Sequence, residues 1–545
     1  MKRNLKKAVS LLLVALMVLS LVACGSGVQT IKKEEKKGSG KYAGQTVILH
    51  TNDVHGAVEG YSYLPALKAE IEKEGGSVIL ADAGDFTNGN IYVSISEGES
   101  AVTLMNQAGY DVVALGNHEF DFGFDTLKKN LEKANFKVLC SNVYKDGKTI
   151  YDSEAVIKVG GLKVGFFALH TPETQTKVNP STIEGLTFTE KEDLYKVAQE
   201  EADKLKKAAD VVICLAHLGV DEESAGNRST DVMANTTGID MIIDGHSHTV
   251  MTKGEKGEAI QSTGTEFANI GCVVIDNKTK KIVSNELIET AKLAQDADVL
   301  ATAKNVISTV DAEFGAKFAT SAVALDGVKA NVRSGETNLG DLVCDALLWS
   351  ATNETKLEVE KDMVVAVTNG GGIRASVDAG DVSRSTIKTV LPFGNTIAVN
   401  YITGAELLEA LEASTYSTPE AIGGFPQIAG MKISIDTTVA FDEGDEYPDS
   451  TYHAPKTCGR VMILEVNGKP FDPTATYAVV TNNFCAAGGD TYYAFKRAYD
   501  AGKGFDTSIP MDEALVNFIK FNLGGEIGAA YAEPQGRIRV IVAQG

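Results

Sequence analysis

Short apolar runs recur through the first half of the chain: Val47–Leu49, Val78–Leu80, Val112–Leu115, Val211–Leu215 and Met241–Ile243. Each is continuously hydrophobic, the pattern of a strand buried on both faces. Between them lie segments with helical apolar spacing: Leu64–Lys73, Thr103–Ala108, Thr126–Ala134 and Lys191–Ala208. Strands alternating with helices predict an α/β domain over residues 44–290. Leu293–Ala319 keeps helical spacing with no strand-like alternation, which predicts a linker helix across about 291–320. A second α/β unit is predicted over 321–545. Its strand candidates are Met363–Thr368, Ile397–Ile402, Met431–Ile435, Val461–Val466 and Thr476–Val480.

The polar residues that follow the first five runs carry the chemistry. They are Asp53-Val54-His55, Gly84-Asp85, Gly116-Asn117-His118-Glu119, Ala216-His217 and Gly245-His246-Ser247-His248. In an α/β fold, turns at the ends of buried strands converge on one edge, where such sheets place their sites. Asp, Asn and His together suit borderline divalent metals such as Zn, Mn or Co. A bridging carboxylate suits two of them. A single His at a strand end, or a single Asp-Gly, is ordinary turn chemistry. Five such turns in order, holding five of the eight histidines, point instead to a two-metal hydrolase. His50, His170 and His453 fall outside the pattern and read as structural.

Length and the N-terminus refine this picture. The 545 residues imply more than one domain. Lys2, Arg3, Lys6 and Lys7 precede an apolar run from Ala8 to Ala23, too short for a spanning helix and right for a signal sequence. Leu21-Val22-Ala23-Cys24-Gly25 resembles a bacterial lipobox, which implies cleavage after residue 23 and a lipid on Cys24. Residues 24–43, poor in apolar side chains, read as a flexible tether from membrane to domain. The expected location is the extracellular face of the cell membrane. Removing residues 1–23 takes away four cations and no acid, so the net charge moves from −22 to −26. That excess argues against binding nucleic-acid polymers and favours a small anionic substrate attracted locally by metal and Arg. Of the cysteines beyond Cys24, Cys140, Cys214 and Cys272 lie in or beside apolar runs and pack as small hydrophobes. No CxxC spacing marks a zinc ribbon.

Four segments carry a family resemblance: His50–Gly56 (HTNDVHG), Asp82–Asn88 (DAGDFTN), Gly116–Gly123 (GNHEFDFG) and Asp244–His248 (DGHSH). They look like the motifs of calcineurin-like metallophosphoesterases, and specifically the secreted 5′-nucleotidase branch. That branch includes UDP-sugar hydrolases and 2′,3′-cyclic-nucleotide phosphodiesterases. Five later segments, Glu336–Asp341 (ETNLGD), Asn369–Arg374 (NGGGIR), Leu391–Asn395 (LPFGN), Gly423–Gln427 (GGFPQ) and Asn483–Asp490 (NFCAAGGD), resemble its C-terminal substrate domain. The resemblance implies a four-layer α/β metallophosphoesterase domain, a connecting helix and an α/β substrate-binding domain.

It also implies roles. Asp53, His55 and His248 resemble ligands of a first metal, Asn117, His217 and His246 ligands of a second, and Asp85 the bridge. The metals would activate a water for in-line attack on phosphorus. His118 and Asp121 resemble the catalytic dyad, with His118 stabilising the transition state or protonating the leaving oxygen. Arg333, Asn369 and Arg374 resemble contacts to phosphate or ribose, with Arg374 aimed by a Gly loop that would expose backbone N–H groups. Phe425 and Phe484 resemble a pair sandwiching the base, and Asp490 an acceptor for ribose hydroxyls. The expected activity is hydrolysis of nucleoside 5′-monophosphates such as AMP. The same fold admits a cyclic phosphodiesterase or a nucleotide-sugar or dinucleotide pyrophosphohydrolase. A non-catalytic surface binding or adhesion protein would require a degenerate metal set, and no motif ligand is missing.

Overall fold

A computed structural model describes residues 28–33, 38–448 and 450–542. The signal segment and Cys24 lie outside the described residues. In the first domain two sheets pack face to face. One runs in the order Lys281–Glu289, Asn269–Asp276, Gln45–Thr51, Ser77–Asp82, Val112–Val113, Lys137–Val138. The other is centred on Leu162–His170, Val211–His217 and Met241–Asp244, which are mutually parallel.

The continuous apolar runs are continuous because each strand feeds two cores. Ile48 and Ile79 point into the layer between the sheets, where they meet Phe166, Ile213 and Ile243. Their neighbours Val47, Leu49, Val78 and Leu80 point outward onto the helices Tyr63–Lys73, Glu99–Ala108 and Phe124–Leu131. On the far side, Val212 and Cys214 pack against Leu194 and Ala198 of the helix Lys191–Leu205. The result is helix, sheet, sheet, helix.

The second domain repeats the logic around one five-stranded sheet in the order Pro426–Ala429, Val364–Asn369, Thr476–Asn482, Thr396–Thr403, Gly504–Pro510. Val364 and Ala366 face the helix Asn338–Glu354, whereas Val365 and Val367 face Gly404–Ala413 and Tyr493–Asp500.

Three expectations change. The metal-bearing turns do not share the edge of one sheet; they face each other from two. The tether read over 24–43 contains ordered chain: Thr30–Lys32 forms an edge strand parallel to Glu154–Val159. Lys33 Nζ then anchors to Val78 O at 2.8 Å and Asp111 Oδ2 at 2.5 Å. The linker helix is real but shorter, Ala297–Phe314, capped by the Asp296 carboxylate on the N–H groups of Asp298 and Val299. Lys317–Ser321 is already a strand, and Val299 and Ala303 of the helix belong to the first domain's core.

Candidate metal centre and substrate cleft

Asp53 and His55 follow the strand Gln45–Thr51, Asp85 follows Ser77–Asp82, and Asn117 follows Val112–Val113. From the facing sheet, His217 ends Val211–His217, and His246 and His248 follow Met241–Asp244. Five of these residues have left-handed backbone: Asp53 (φ 50°), His55 (44°), Asp85 (63°), His246 (77°) and His248 (58°). Non-glycine residues held there cost on the order of 1–3 kcal/mol each, and such strain collects at functional sites. Glycines let the turns close up. A Cβ on Gly84 would sit 2.4 Å from Gly116 N, and one on Gly245 would sit 2.9 Å from Asp53 Oδ2.

The side chains converge. His55 Nε2 and His248 Nε2 are 3.0 Å apart, and they lie 3.9 and 3.5 Å from Asp53 Oδ1. His217 Nε2 lies 3.2 Å from Asp85 Oδ2 and 3.9 Å from Asp53 Oδ1. Asp85 Oδ2 is also 3.7 Å from His55 Nε2, so it lies between the two histidines. His246 Nδ1 is 2.9 Å from Asn117 Oδ1. Ligand atoms bound to one cation at about 2.0–2.2 Å sit roughly 3–3.5 Å from one another. The ligand atoms of Asp53, His55 and His248 lie within 4.8 Å of one another, as do those of Asp53, Asp85 and His217.

Two observations test the fit to divalent ions. Asp53 and Asp85 are 0 % and 2 % exposed, and buried carboxylates demand positive charge. His217 Nε2 is buried with no aligned hydrogen-bond partner, as a metal ligand would be. The residues fit the ions.

Outer contacts orient the imidazoles. His217 Nδ1 meets Ala83 O at 2.7 Å and His55 Nδ1 meets Asn88 O at 3.0 Å. His246 Nε2 meets the buried carboxylate of Glu173 at 3.1 Å. Glu119, left without a role by sequence reasoning, accepts from the backbone N–H groups of Asp85, Phe86, Thr87 and Gly116 at 2.5–3.0 Å. It ties the Asp85 turn to the Asn117 turn. Glu173 was also missed. Its one signal is position: it lies three residues beyond the end of Leu162–His170, another strand pointing at the site.

His118 stands apart from the ligand groups. Its Nδ1 lies 2.7 Å from Asp121 Oδ2, which also accepts from Asn88 Nδ2 at 2.7 Å. Burial alone would lower its pKa, but the carboxylates of Asp121 and Asp85 outweigh burial and raise it.

A cavity of about 950 Å³ opens between the two domains. Asp85, Asn117, His118, Asp121, His246 and His248 line it from the first; Arg333, Asn369, Arg374, Phe484 and Asp490 line it from the second. Asn369 Nδ2 donates to Asp490 Oδ2 at 2.8 Å. Lys329, not foreseen, joins the lining beside the arginines. Burial, then the nearby Arg333 and Arg374, lower its pKa to about 8. Burial and Arg333 likewise lower Arg374 to about 10.

Two assignments fail here. Phe425 is 0 % exposed and packs in the second domain's core with Leu411 and Phe495, away from the cavity. Phe393 lines the cavity instead, its ring stacked on His118 at 5.3 Å and 17°, with the Arg374 guanidinium 5.5 Å over it. The glycine loop is not an open amide cradle either. The N–H groups of Gly370, Gly371 and Arg374 donate to Phe425 O, Gly423 O and Val390 O. Its glycines serve close packing, since a Cβ on Gly370 would sit 2.1 Å from Val332 O.

Residues 46–250 match the calcineurin-like phosphoesterase model, and residues 316–497 match the 5′-nucleotidase C-terminal domain model. The chain belongs to the 5′-nucleotidase family of metal-dependent phosphoesterases. It is 27 % identical to a 5′-nucleotidase precursor of Thermus thermophilus, with a TM-score of 0.74 over 92 % of this chain and 100 % of that one. It is 27 % identical to the protein UshA of Escherichia coli over 82 % of this chain and 86 % of that protein. It is 30 % identical to the trifunctional nucleotide phosphoesterase protein YfkN of Bacillus subtilis over 83 % of this chain, but spans only 32 % of that longer protein.

Proposed function

We propose that this family member hydrolyses nucleoside 5′-monophosphates to nucleoside and phosphate outside the cell, held to the membrane through Cys24. The observation that carries the reading is the composition of the cleft between the domains. Metal-type ligands form one wall, and Arg333, Arg374 and Lys329 with Phe393 and Phe484 form the other. When bound, two divalent ions polarise the phosphoryl group and supply a water nucleophile at neutral pH.

The chain's own residues do the rest. Asp53, His55 and His248 would hold one ion, Asn117, His217 and His246 the other, and Asp85 both. Arg374, Arg333 and Lys329 neutralise the phosphate oxygens. His118, oriented by Asp121, donates a proton to the departing ribose oxygen. Phe393 and Phe484 stack on the base, a tolerant mode worth about 1–3 kcal/mol per base. Asp490 accepts from the ribose hydroxyls.

The metal-type ligands do not distinguish leaving groups, so larger ones belong in the test. Hydrolysis of AMP, UDP-glucose, 2′,3′-cyclic AMP and NAD by the Mn- or Co-loaded protein, followed as loss of each substrate with its products separated by chromatography, should be fastest with AMP. A higher kcat/KM for any other member of the panel replaces the monophosphatase reading with that activity.

A further inference from the structure

Within the wall of the cleft the two domains meet at a largely buried charged junction centred on Lys177. It ends the short helix Thr174–Lys177, and its side chain is 14 % exposed. Its Nζ lies 2.5 Å from Glu223 Oε1, a first-domain residue, and 2.7 Å from Tyr452 Oη of the second domain. It also lies 3.5 Å from Asp490 Oδ1 and 4.0 Å from Glu173 Oε2. Tyr452 Oη donates to Glu223 Oε1 at 2.6 Å, closing a triangle across the domain boundary.

Asp490 is docked on the same turn twice. Its N–H donates to Thr176 O at 2.6 Å, while its carboxylate faces the Lys177 ammonium. The residue holds left-handed backbone, φ 50°, so its orientation is imposed by what it touches. Asn369 takes the second carboxylate oxygen from within the second domain. Arg333 adds a weaker field. Lys177 is therefore the first-domain cation that fixes a second-domain carboxylate, and it does so only when the domains are together.

We propose that Lys177 is a positioning residue for ribose recognition. Through its contact with Asp490 it confers preference for substrates carrying 2′- and 3′-hydroxyls, and it ties that preference to domain closure. Buried at this depth the ion pair is screened little, and removing one partner leaves the other charge uncompensated. Without Lys177, Asp490 keeps Asn369 on Oδ2 but loses the cation facing Oδ1, and Glu223 keeps the Tyr452 hydroxyl without the ammonium. The same turn carries Glu173, which orients the metal-type ligand His246. Closure and the metal wall are thus joined by four residues of chain.

The inference rests on the proposed nucleotide reading, and the test separates the two. The metal-loaded full chain is assayed for kcat/KM on AMP, on 2′,3′-dideoxy-AMP and on p-nitrophenyl phosphate. Wild type should favour AMP over the dideoxy analogue by about tenfold or more, as expected for a site whose buried acceptor is left unpaired. Lys177→Met should reduce that preference to within about threefold while p-nitrophenyl phosphate turnover changes by less than about threefold. Asp490→Asn should remove the preference in wild type and remove nothing further in Lys177→Met. Tyr452→Phe, which deletes one hydroxyl, carries the same test at smaller amplitude should Lys177→Met not fold. A full AMP preference retained in the variants overturns the role of Lys177. Equal loss on all three substrates makes it a structural residue and also overturns the proposal. A wild type that does not discriminate the two nucleotides removes the ribose role of Asp490, and the inference with it.

Discussion

His118 is a histidine beside a metal-type ligand that is not itself placed to ligate. Its backbone N–H donates to Asp85 Oδ1 at 2.8 Å, its Nδ1 is held by Asp121, and its ring faces the cleft. His118→Ala should lower kcat by roughly 10²–10⁴-fold for AMP and leave bound metal unchanged. p-Nitrophenyl phosphate, whose leaving group needs no proton, should suffer less. Equal losses would argue for positioning alone, and loss of metal would make it a ligand. The two phenylalanines first read as a clamp now separate. Phe484 is a cleft residue, so Phe484→Ala should raise KM for AMP with little effect on p-nitrophenyl phosphate. Phe425 fills the core, so Phe425→Ala should cost about 3–5 kcal/mol of stability and show as a lowered melting temperature. An unchanged Tm with a raised KM for Phe425→Ala would return it to the clamp.

At the scale of elements, the site is two sets of strand ends held in register. Glu119 does much of the holding in one set. Its two oxygens accept from four backbone N–H groups across the turns that carry Asp85 and Asn117. Glu119→Gln puts an amide donor against some of those donors, each mismatch costing about 1–3 kcal/mol. Metal affinity should fall by about 10–100-fold, the usual consequence of losing an outer-shell orienter. All substrates should be affected alike once excess metal is supplied or withheld. Retention of wild-type metal affinity by Glu119→Gln, measured by competition with a chelator, would reject this role.

For the whole molecule, the metals are a stability term as well as a catalytic one. Asp53 and Asp85 sit buried at the seam between the two sheets, beside His217. An ion bound only to the folded state at a concentration of 100 Kd stabilises by about 2.7 kcal/mol. With two domains, calorimetry should resolve more than one transition. EDTA should lower the first-domain transition and spare the second, and Asp85→Ala, which should bind little metal, should already melt like the stripped protein. Identical traces with and without EDTA, on protein shown to have held metal, would remove the ions from the folding ledger. The overall acidic charge repels nucleotides, so the cations that attract substrate have to be gathered in the cleft, where Arg333, Arg374 and Lys329 are found.

What the sequence determined by itself was local. Uninterrupted apolar runs marked strands buried on both faces, and helical spacing marked the layers covering them. Turns dense in Asp, Asn and His marked where ligand atoms would be, since metal-binding chemistry needs those side chains whatever the fold. The choice among neighbouring candidates was decided only in three dimensions. Phe425 and Phe393 both sit near Gly-bearing turns, and only packing separates the one that points inward from the one that faces the cleft. The glycine loop before Arg374 could expose its N–H groups or spend them, and the partners that take them lie 16 or more residues away. Glu119, Glu173 and Lys177 belong to the same class. Each acts through atoms distant in sequence, so its role depends on which strands and which domain are brought against it.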